Sequence, residues 1–378
     1  MTIKRCKICI LPSSKPDLEF NSNGVCQGCL AYQNRKNIDW KSREEKFKEI
    51  IQKYKKNNNY DCIIPVSGGK DSHYQVIKCL EHDLNPLCIT ASTDKLSELG
   101  RYNIENLKKI GVDHIEVSTN PVIRRKINKF TLKTIGDISW AEHLTIFTIP
   151  FKFSCSFNIP LLIWGENPQN ENGGPLERES EIELNRAWLE EFGGLLGLRV
   201  TDLADILKLK KKELELYTFP SSEELKANKT FGIFLGQFFK WDGHKNAETA
   251  SKFGFKTYEK ELEGSIVNYE NLDNVQMRIH DYFKYLKFGY DRVTDWCCWH
   301  IRRGRLNREE ALNLENDKSG KYPSEYLGYS LGDILEEINC TQKEFDEICD
   351  AFTNKEIFKC DNSGNLIKNK DKSLIKNF

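Results

Sequence analysis

Between Trp40 and about Lys56, the segment WKSREEKFKEIIQKYKK spaces Trp40, Phe47, Ile50, Ile51 and Tyr54 along one face of a helix. The polar NNNY ends it, and DCIIPV follows as a short run of strand character. DSHYQVIKCLEHD then reads as a helix, PLCITAS as a second strand, LGRYNIENLKKIG as a helix and DHIEVS as a third strand. Residues 121–135 and 141–158 suit two further helices, and IPLLIWG, residues 159–165, a fourth strand. Strands alternating with helices predict a doubly wound parallel α/β sheet. GENPQNENGGP must be loop, given its Gly and Asn content. Residues 176–229 are charged and read as a mainly helical insertion, after which FGIFLGQFFKWD returns to strand character and NAETASKFGF to helix. From about 258 to 360 the pattern is mostly helical and polar-aromatic, and the lysine-rich tail IKNKDKSLIKNF is expected to fray. The expected units are 1–39, 40–257 with its insertion, and a helical C-terminal substrate or interaction region, 258–378.

A chain of 378 residues can build a sizeable core in two or three domains. The 56 basic and 56 acidic side chains cancel, which argues against a dedicated nucleic-acid binder. No window approaches the roughly 20 apolar residues of a membrane span. The start, MTIKRCKICI, has charges and cysteines where a secretory signal has its apolar run. Thirteen cysteines, several of them inside apolar runs (Cys62, Cys79, Cys88, Cys155), suit a reducing compartment. The expectation is a cytoplasmic protein.

Cys6-x2-Cys9 and Cys26-x2-Cys29 have the spacing of a four-cysteine zinc site. Each turn points two thiolates at one tetrahedral centre, and the ion replaces a core that so short a segment cannot build. The ligand set is closed, so the role is structural.

At IIPVSGGKDS an apolar run stops at a cluster of glycines, hydroxyls and charge. A Walker A loop would need glycine at position 64, which is Ile64. The physics is similar nevertheless. Gly68 and Gly69 let the backbone turn tightly and bring N–H groups close to phosphate oxygens. The helix starting near Asp71 adds its N-terminal dipole. Ser67 and Ser72 offer hydroxyls, Lys70 a point charge, and Asp71 either a Mg²⁺ ligand or a helix cap. The alternative is a plain strand–helix turn.

PVSGGKDS resembles the PP-loop, S-G-G-x-D-S, of the N-type ATP pyrophosphatases, which include GMP, NAD and asparagine synthetases and tRNA thiolases. The resemblance implies that the loop binds the pyrophosphate released when ATP adenylylates a substrate oxygen, before a nucleophile displaces AMP. The two CxxC pairs, YDCIIPVSGGKDS, NPLCIT, GVDHIEVSTNP, EHLTIFTIP, IPLLIWGENPQNENGGP, FLGQFFKWD, HDYFKYLKFGYDRVTD and IRRGRLNREEA together resemble the N-acetyl sugar amidotransferases of the PseA/WbpG type, over most of residues 1–315. Cys297-Cys298-Trp299 departs from that family's pattern. The likeness implies the adenine nucleotide alpha-hydrolase-like form of the doubly wound sheet. It also implies ATP, Mg²⁺ and structural Zn²⁺, and conversion of an acetamido group on a bacterial surface sugar to acetamidino. Pseudaminic acid, legionaminic acid and a diacetamido-uronate precursor all remain open as the sugar. Met1-Thr2 exposes no N-terminal cysteine, and no Cys–His–Glu glutaminase set is recognisable, so ammonia is expected from a separate HisH-like glutaminase. A homo-oligomer is possible, and neither nucleic acid nor membrane is expected as a partner. The alternative is a tRNA thiolase, which needs a catalytic cysteine pair and a basic face.

Other residues take candidate roles beside plainer ones. Glu166, Asn167, Gln169 and Asn170 follow the fourth strand, as metal or polyol ligands or as a polar surface loop. Glu142 and His143 precede a helix, with His143 a proton carrier or a structural hydrogen bonder. Arg101 can reach phosphate or adenine, or stay solvated. His280, Arg292, Asp295, Arg302 and Arg305 lie among Tyr282, Tyr285 and Tyr290, where an arginine can anchor an acidic sugar or a charged helix can face water.

Overall fold

The computed structural model describes residues 3–55, 59–166, 183–184 and 195–377. Its centre is a six-stranded sheet in the order β3-β2-β1-β4-β6-β5. The strands are β1 Cys62–Pro65, β2 Pro86–Ala91, β3 Asp113–Val117, β4 Leu161–Trp164, β5 Glu183–Leu184 and β6 Phe231–Phe234. All pairings are parallel except β5 on β6. Successive side chains point to opposite faces, and β1 has a core on each. Ile64 packs with Phe47 and Ile51 of α2 (Trp40–Tyr54), Val76 and Cys79 of α3 (Lys70–Glu81) and Leu107 of α4 (Glu98–Ile110). Ile63 packs the other way, with Ile149 and Phe151 of α6 (Trp140–Phe157), which follows α5 (Pro121–Ile135). The doubly wound parallel α/β sheet is therefore the observed fold.

From β1 the chain winds outward through β2 to β3, then returns to place β4 on the other side of β1. That reversal opens a crevice at the carboxyl edge between β1 and β4, where open α/β sheets hold their ligands. Helix ends are set locally. Asp39 caps α2 by accepting from the N–H groups of Lys41 and Ser42, and Asn120 caps α5 ahead of Pro121 at its first turn.

Among the described residues, the stretch 176–229 contributes β5, two short helices and two 3₁₀ turns. The helices are α7 Val200–Leu207 and α8 Ser222–Asn228. One expectation needs correction, because the C-terminal tail does not fray. Phe358 bridges Lys376, Cys360 bridges Leu366 and Lys368 bridges Leu374, and burial of Phe358 and Leu374 in the C-terminal core holds the segment down.

After α9 (Gly243–Lys252), the C-terminal region comprises α10 Met277–Phe288, α11 Arg292–Arg302, α12 Arg308–Lys318, the small hairpin β7 Glu325–Tyr326 and β8 Tyr329–Ser330, α13 Leu331–Glu336 and α14 Gln342–Phe352. The cysteine module, with α1 Gln27–Arg35, docks on this region. Its four cysteines share a core with Val293, Cys297, Cys298 and Ala311. Arg5 pairs with Glu315 at 2.8 Å, and Ser14 Oγ donates to the Phe288 carbonyl at 2.5 Å. Among the described residues, no helix is long and apolar enough to cross a membrane.

Candidate active site

The glycine loop sits at the carboxyl end of β1, where β1 gives way to α3. Gly68 has φ +84°, and a Cβ there would lie 2.7 Å from Ile104 Cγ1 and 2.9 Å from the Ile104 backbone nitrogen. Only glycine fits both the left-handed backbone and this close approach to α4. The Ser67 N–H donates to Ser72 Oγ at 2.9 Å, which closes the turn on itself. His73 buttresses the loop from behind: Nδ1 bonds the Gly69 carbonyl at 2.9 Å, and Asn106 Nδ2 reaches Nε2 at 3.1 Å. Burial pushes the His73 pKa down to about 4. The ring is therefore neutral, donating through Nδ1 and accepting through Nε2.

Lys70 opens α3 with its side chain only 5% exposed. Nζ lies 2.8 Å from Asp71 Oδ2, forms an ion pair with Glu270 and sits 5.6 Å from the centre of the Trp296 ring. Burial pulls its pKa down, but the carboxylates of Asp71 and Glu270 more than offset this, so Lys70 stays charged. Asn246 on α9 donates to Asp71 Oδ1 at 2.7 Å and fixes the carboxylate. Glu270 comes from a strap ahead of α10 that crosses the sheet edge. Ser97 N–H donates to the Asp273 carbonyl at 2.9 Å, Ser97 Oγ donates to the Leu272 carbonyl, and Leu96 bridges Asn274.

Two cavities flank the glycine loop. The first is about 180 Å³, with walls that include Val66, Ile89, Ile104 and Trp164 and polar groups from Ser67, Ser72, Glu142 and Asp273. The second is polar. Lys70, Asp71, Glu166 and Glu270 face Arg292, Arg303 and Arg305 across three indoles, Trp241, Trp296 and Trp299. Asp242 holds Arg305 through bonds of 2.7 and 3.0 Å.

The remaining sequence candidates scatter. Arg101 lines neither cavity. It pairs with Glu116 through two bonds, at 2.7 and 2.9 Å, and its side chain is 46% exposed. His143 and His280 also lie outside both. His280 Nδ1 is 3.0 Å from Asp137 Oδ1, and the two imidazoles meet edge to face with centres 5.0 Å apart. Burial lowers the His143 pKa to about 4, so the ring is neutral near pH 7. Arg292 reaches the second cavity while bonded to Asp281 at 3.2 Å, and Asp295 is taken by Lys284. Arg302, grouped in the sequence with possible substrate anchors, is instead buried against the cysteine module. A Cβ on Gly28 would lie 2.5 Å from its Nη2, and the nearby thiols favour its charge against the cost of burial. Asn167, Gln169 and Asn170 lie outside the described residues.

Glu142 accepts from Thr93 Oγ1 at 2.9 Å and from Asn274 Nδ2. Burial, then the negative charge of Asp94, push its pKa up from the ordinary 4.5 to about 7. Between those values the folded state holds a proton that the unfolded chain has lost, so this group weakens the fold as pH rises through the window. A Glu142→Gln variant removes the penalty. Its Tm relative to the parent should climb steadily between pH 5 and pH 8 in thermal melts, and a constant difference would count against the shifted carboxyl.

Cys6, Cys9, Cys26 and Cys29 are all buried, and among the described residues they form the one His/Cys/Asp/Glu group close enough to hold a metal ion. Their sulfurs lie within 4.8 Å of one another, with Cys9–Cys26 at 3.7 Å and Cys6–Cys29 at 3.9 Å. A tetrahedral zinc with Zn–S bonds of ~2.3 Å needs sulfurs about 3.8 Å apart. The donor set fits zinc.

Fold and site together define a doubly wound α/β protein with a glycine loop at the sheet's switch point and a four-cysteine module docked on its C-terminal helices. Residues 248–371 match the family model described as "LPS biosynthesis protein WbpG-like, C-terminal domain". That region supplies Glu270, the strap and the helices behind the second cavity. No curated protein matches the chain. Solved structures similar to it include the NMN synthetase from Francisella tularensis, at 12% identity and TM-score 0.29, over 60% of this chain and 99% of that one. The NH3-dependent NAD synthetase from Campylobacter jejuni subsp. jejuni NCTC 11168, in complex with the nitrate ion, is similar at 13% identity and TM-score 0.29, over 59% of this chain and 100% of that one.

Sequence reasoning missed His73, Asn106, Asn246, Glu270 and Asn274. His73 stood beside the glycine cluster and was the most accessible of them. The others belong to no local motif.

Proposed function

We propose that the chain is an ATP-dependent amidotransferase acting on the acetamido group of an N-acetyl sugar. The observation that carries this is the glycine loop, which gives Ser67 and Ser72 to an apolar-walled cavity of about 180 Å³ and Lys70 and Asp71 to a smaller, indole-lined one of about 60 Å³. The family match of residues 248–371 supports the same reading. In the reaction the acetamido oxygen attacks the α-phosphorus of ATP, and the bond to pyrophosphate breaks. Ammonia then adds to the imidate carbon, and AMP departs carrying the acetamido oxygen. The product is an amidine, protonated at neutral pH.

Lys70 and the loop N–H groups stabilise charge growing on the leaving pyrophosphate. Asp71 and Glu166 offer the carboxylates to hold Mg²⁺, which would share that task. Ammonia would come from solution or from a separate glutaminase, and the sugar would be an acidic surface sugar of the nonulosonate or uronate kind. A tRNA thiolase is disfavoured because, among the described residues, no cysteine lines either cavity. Cys155 sits near the C-terminal end of α6, which leads into the start of β4 at the far edge of the sheet from the loop.

The test is isotopic. With ¹⁸O at the acetamido carbonyl, mass spectrometry should find the label in AMP and not in pyrophosphate. Ammonium should support turnover by this chain alone, whereas glutamine should not. Label retained in the sugar, or thiolation of tRNA under the same conditions, would overturn the reading.

A further inference from the structure

The amidotransferase reading needs room for a phosphate and a sugar beside Lys70. The second cavity offers about 60 Å³, against the ~300–1,000 Å³ usual for small-molecule sites. The charges around it also cancel, since four carboxylates meet four cations once Asp242 is counted. An anion entering the cavity as it stands gains no net attraction.

Lys70 is engaged on every side. Asp71 and Glu270 take two of its three N–H donors. The Trp296 ring lies 5.6 Å away, and a Cβ on Gly243 would lie 3.1 Å from Lys70 Cε. The lysine is therefore confined, and for it to grip a phosphate one of the carboxylates has to leave. The two are not equivalent. Asp71 lies in α3 and is pinned by Asn246 at 2.7 Å. Glu270 has, among the described residues, no hydrogen bond or ion pair except that to Lys70, and its side chain is 17% exposed. The strap is anchored on both sides of it. The Tyr258 N–H donates to the Asn268 carbonyl and Asn268 Nδ2 to the Tyr258 carbonyl, each at 2.8 Å. Leu272, Asp273 and Val275 are bonded to Lys95 and Ser97. Between these anchors, residues 269–271 make no backbone–backbone hydrogen bond among the described residues, and Asn271 holds a left-handed φ of +51°.

We propose that Glu270 is an autoinhibitory latch, a carboxylate of the chain that occupies the phosphate seat at Lys70 until the phosphate of a nucleotide displaces it. Residues 269–271 then give way between their anchors, and the carboxylate withdraws from the second cavity and widens it. The inference rests on the amidotransferase reading and adds an order to it, nucleotide first and sugar second.

Inorganic pyrophosphate is the probe, titrated calorimetrically with and without Mg²⁺ and without turnover. Glu270→Gln should bind it about tenfold more tightly than the parent, because the vacant fraction of the seat sets the apparent affinity. Glu270→Asp keeps the charge but shortens the reach to Lys70, and should bind severalfold more tightly. In the parent, deuterium uptake across 269–271 should rise when pyrophosphate binds, a readout that needs no variant to fold. Tightening in Glu270→Gln alone would reduce Glu270 to a background charge and overturn the latch. Weaker binding by both variants in Mg²⁺ would make Glu270 a metal ligand and overturn it too, as would unchanged affinities or uptake that does not rise. Each of these leaves the amidotransferase reading to its isotope test. Pyrophosphate bound by neither parent nor variants would overturn the latch and the loop's role as a phosphate seat together.

Discussion

Replacing Lys70 with alanine should slow adenylylation by roughly 10²-fold, the usual cost of removing a preorganised charge from a developing anion. The same change should lower stability, because Asp71 and Glu270 would lose the cation between them. The two effects can be separated. In the double variant Lys70→Ala/Glu270→Gln, the repulsion is relieved and much of the Tm should return, while the rate should stay low. Single-turnover release of labelled pyrophosphate gives the rate, and a thermal melt gives the stability. A double variant that recovers both would make Lys70 a structural ion-pair partner and the loop a turn. Near-parental rates in Lys70→Ala alone would do the same.

The second large effect is expected at the cysteine module. Purified protein should carry about one zinc per chain, from the closed four-thiolate geometry. Cys9→Ser should lower that content and destabilise the fold by several kcal/mol, equivalent to roughly 5 °C in Tm for a chain of this size. The loss should spread beyond the first forty residues, because the cysteines share their core with Val293, Cys297 and Cys298 of α11. That helix also turns Trp296 and Trp299 toward the second cavity. Metal analysis and melting curves on Cys9→Ser and on a variant lacking all four cysteines decide it. Full zinc content in the latter would sink the assignment.

What the sequence revealed and what it hid follow from distance along the chain. β1, β2 and β4 were legible as apolar runs of four to six residues bounded by polar breaks, because burial on both faces leaves such strands few polar positions. β3 is less buried and was still legible through its position in the alternation. The glycine loop and the CxxC pairs were legible because their geometry is set by neighbours within a few residues. Glu270 and Asn246 carry no such signature, since they meet Lys70 and Asp71 across 200 and 175 residues. Arg302 illustrates the opposite failure. Its residue type suggested an anion ligand, and a buried cluster of thiols used the same charge instead. The tail was misjudged because its lysines dominate its composition, while Phe358 and Leu374 decide its place.

The strap that brings Glu270 to Lys70 has a consequence for how the protein is made. Synthesis proceeds from the N-terminus at ~5–20 residues per second, so roughly 10–40 s separate the emergence of the lysine from that of its carboxylate. Throughout that interval the growing chain carries a glycine loop whose lysine lacks its later partner. The cysteine module waits longer still, because its docking surface on α11 and α12 follows the strap. The module therefore leaves the ribosome before the strap and is seated after it, so its thiols stay open to metal insertion while the docking surface is still being built.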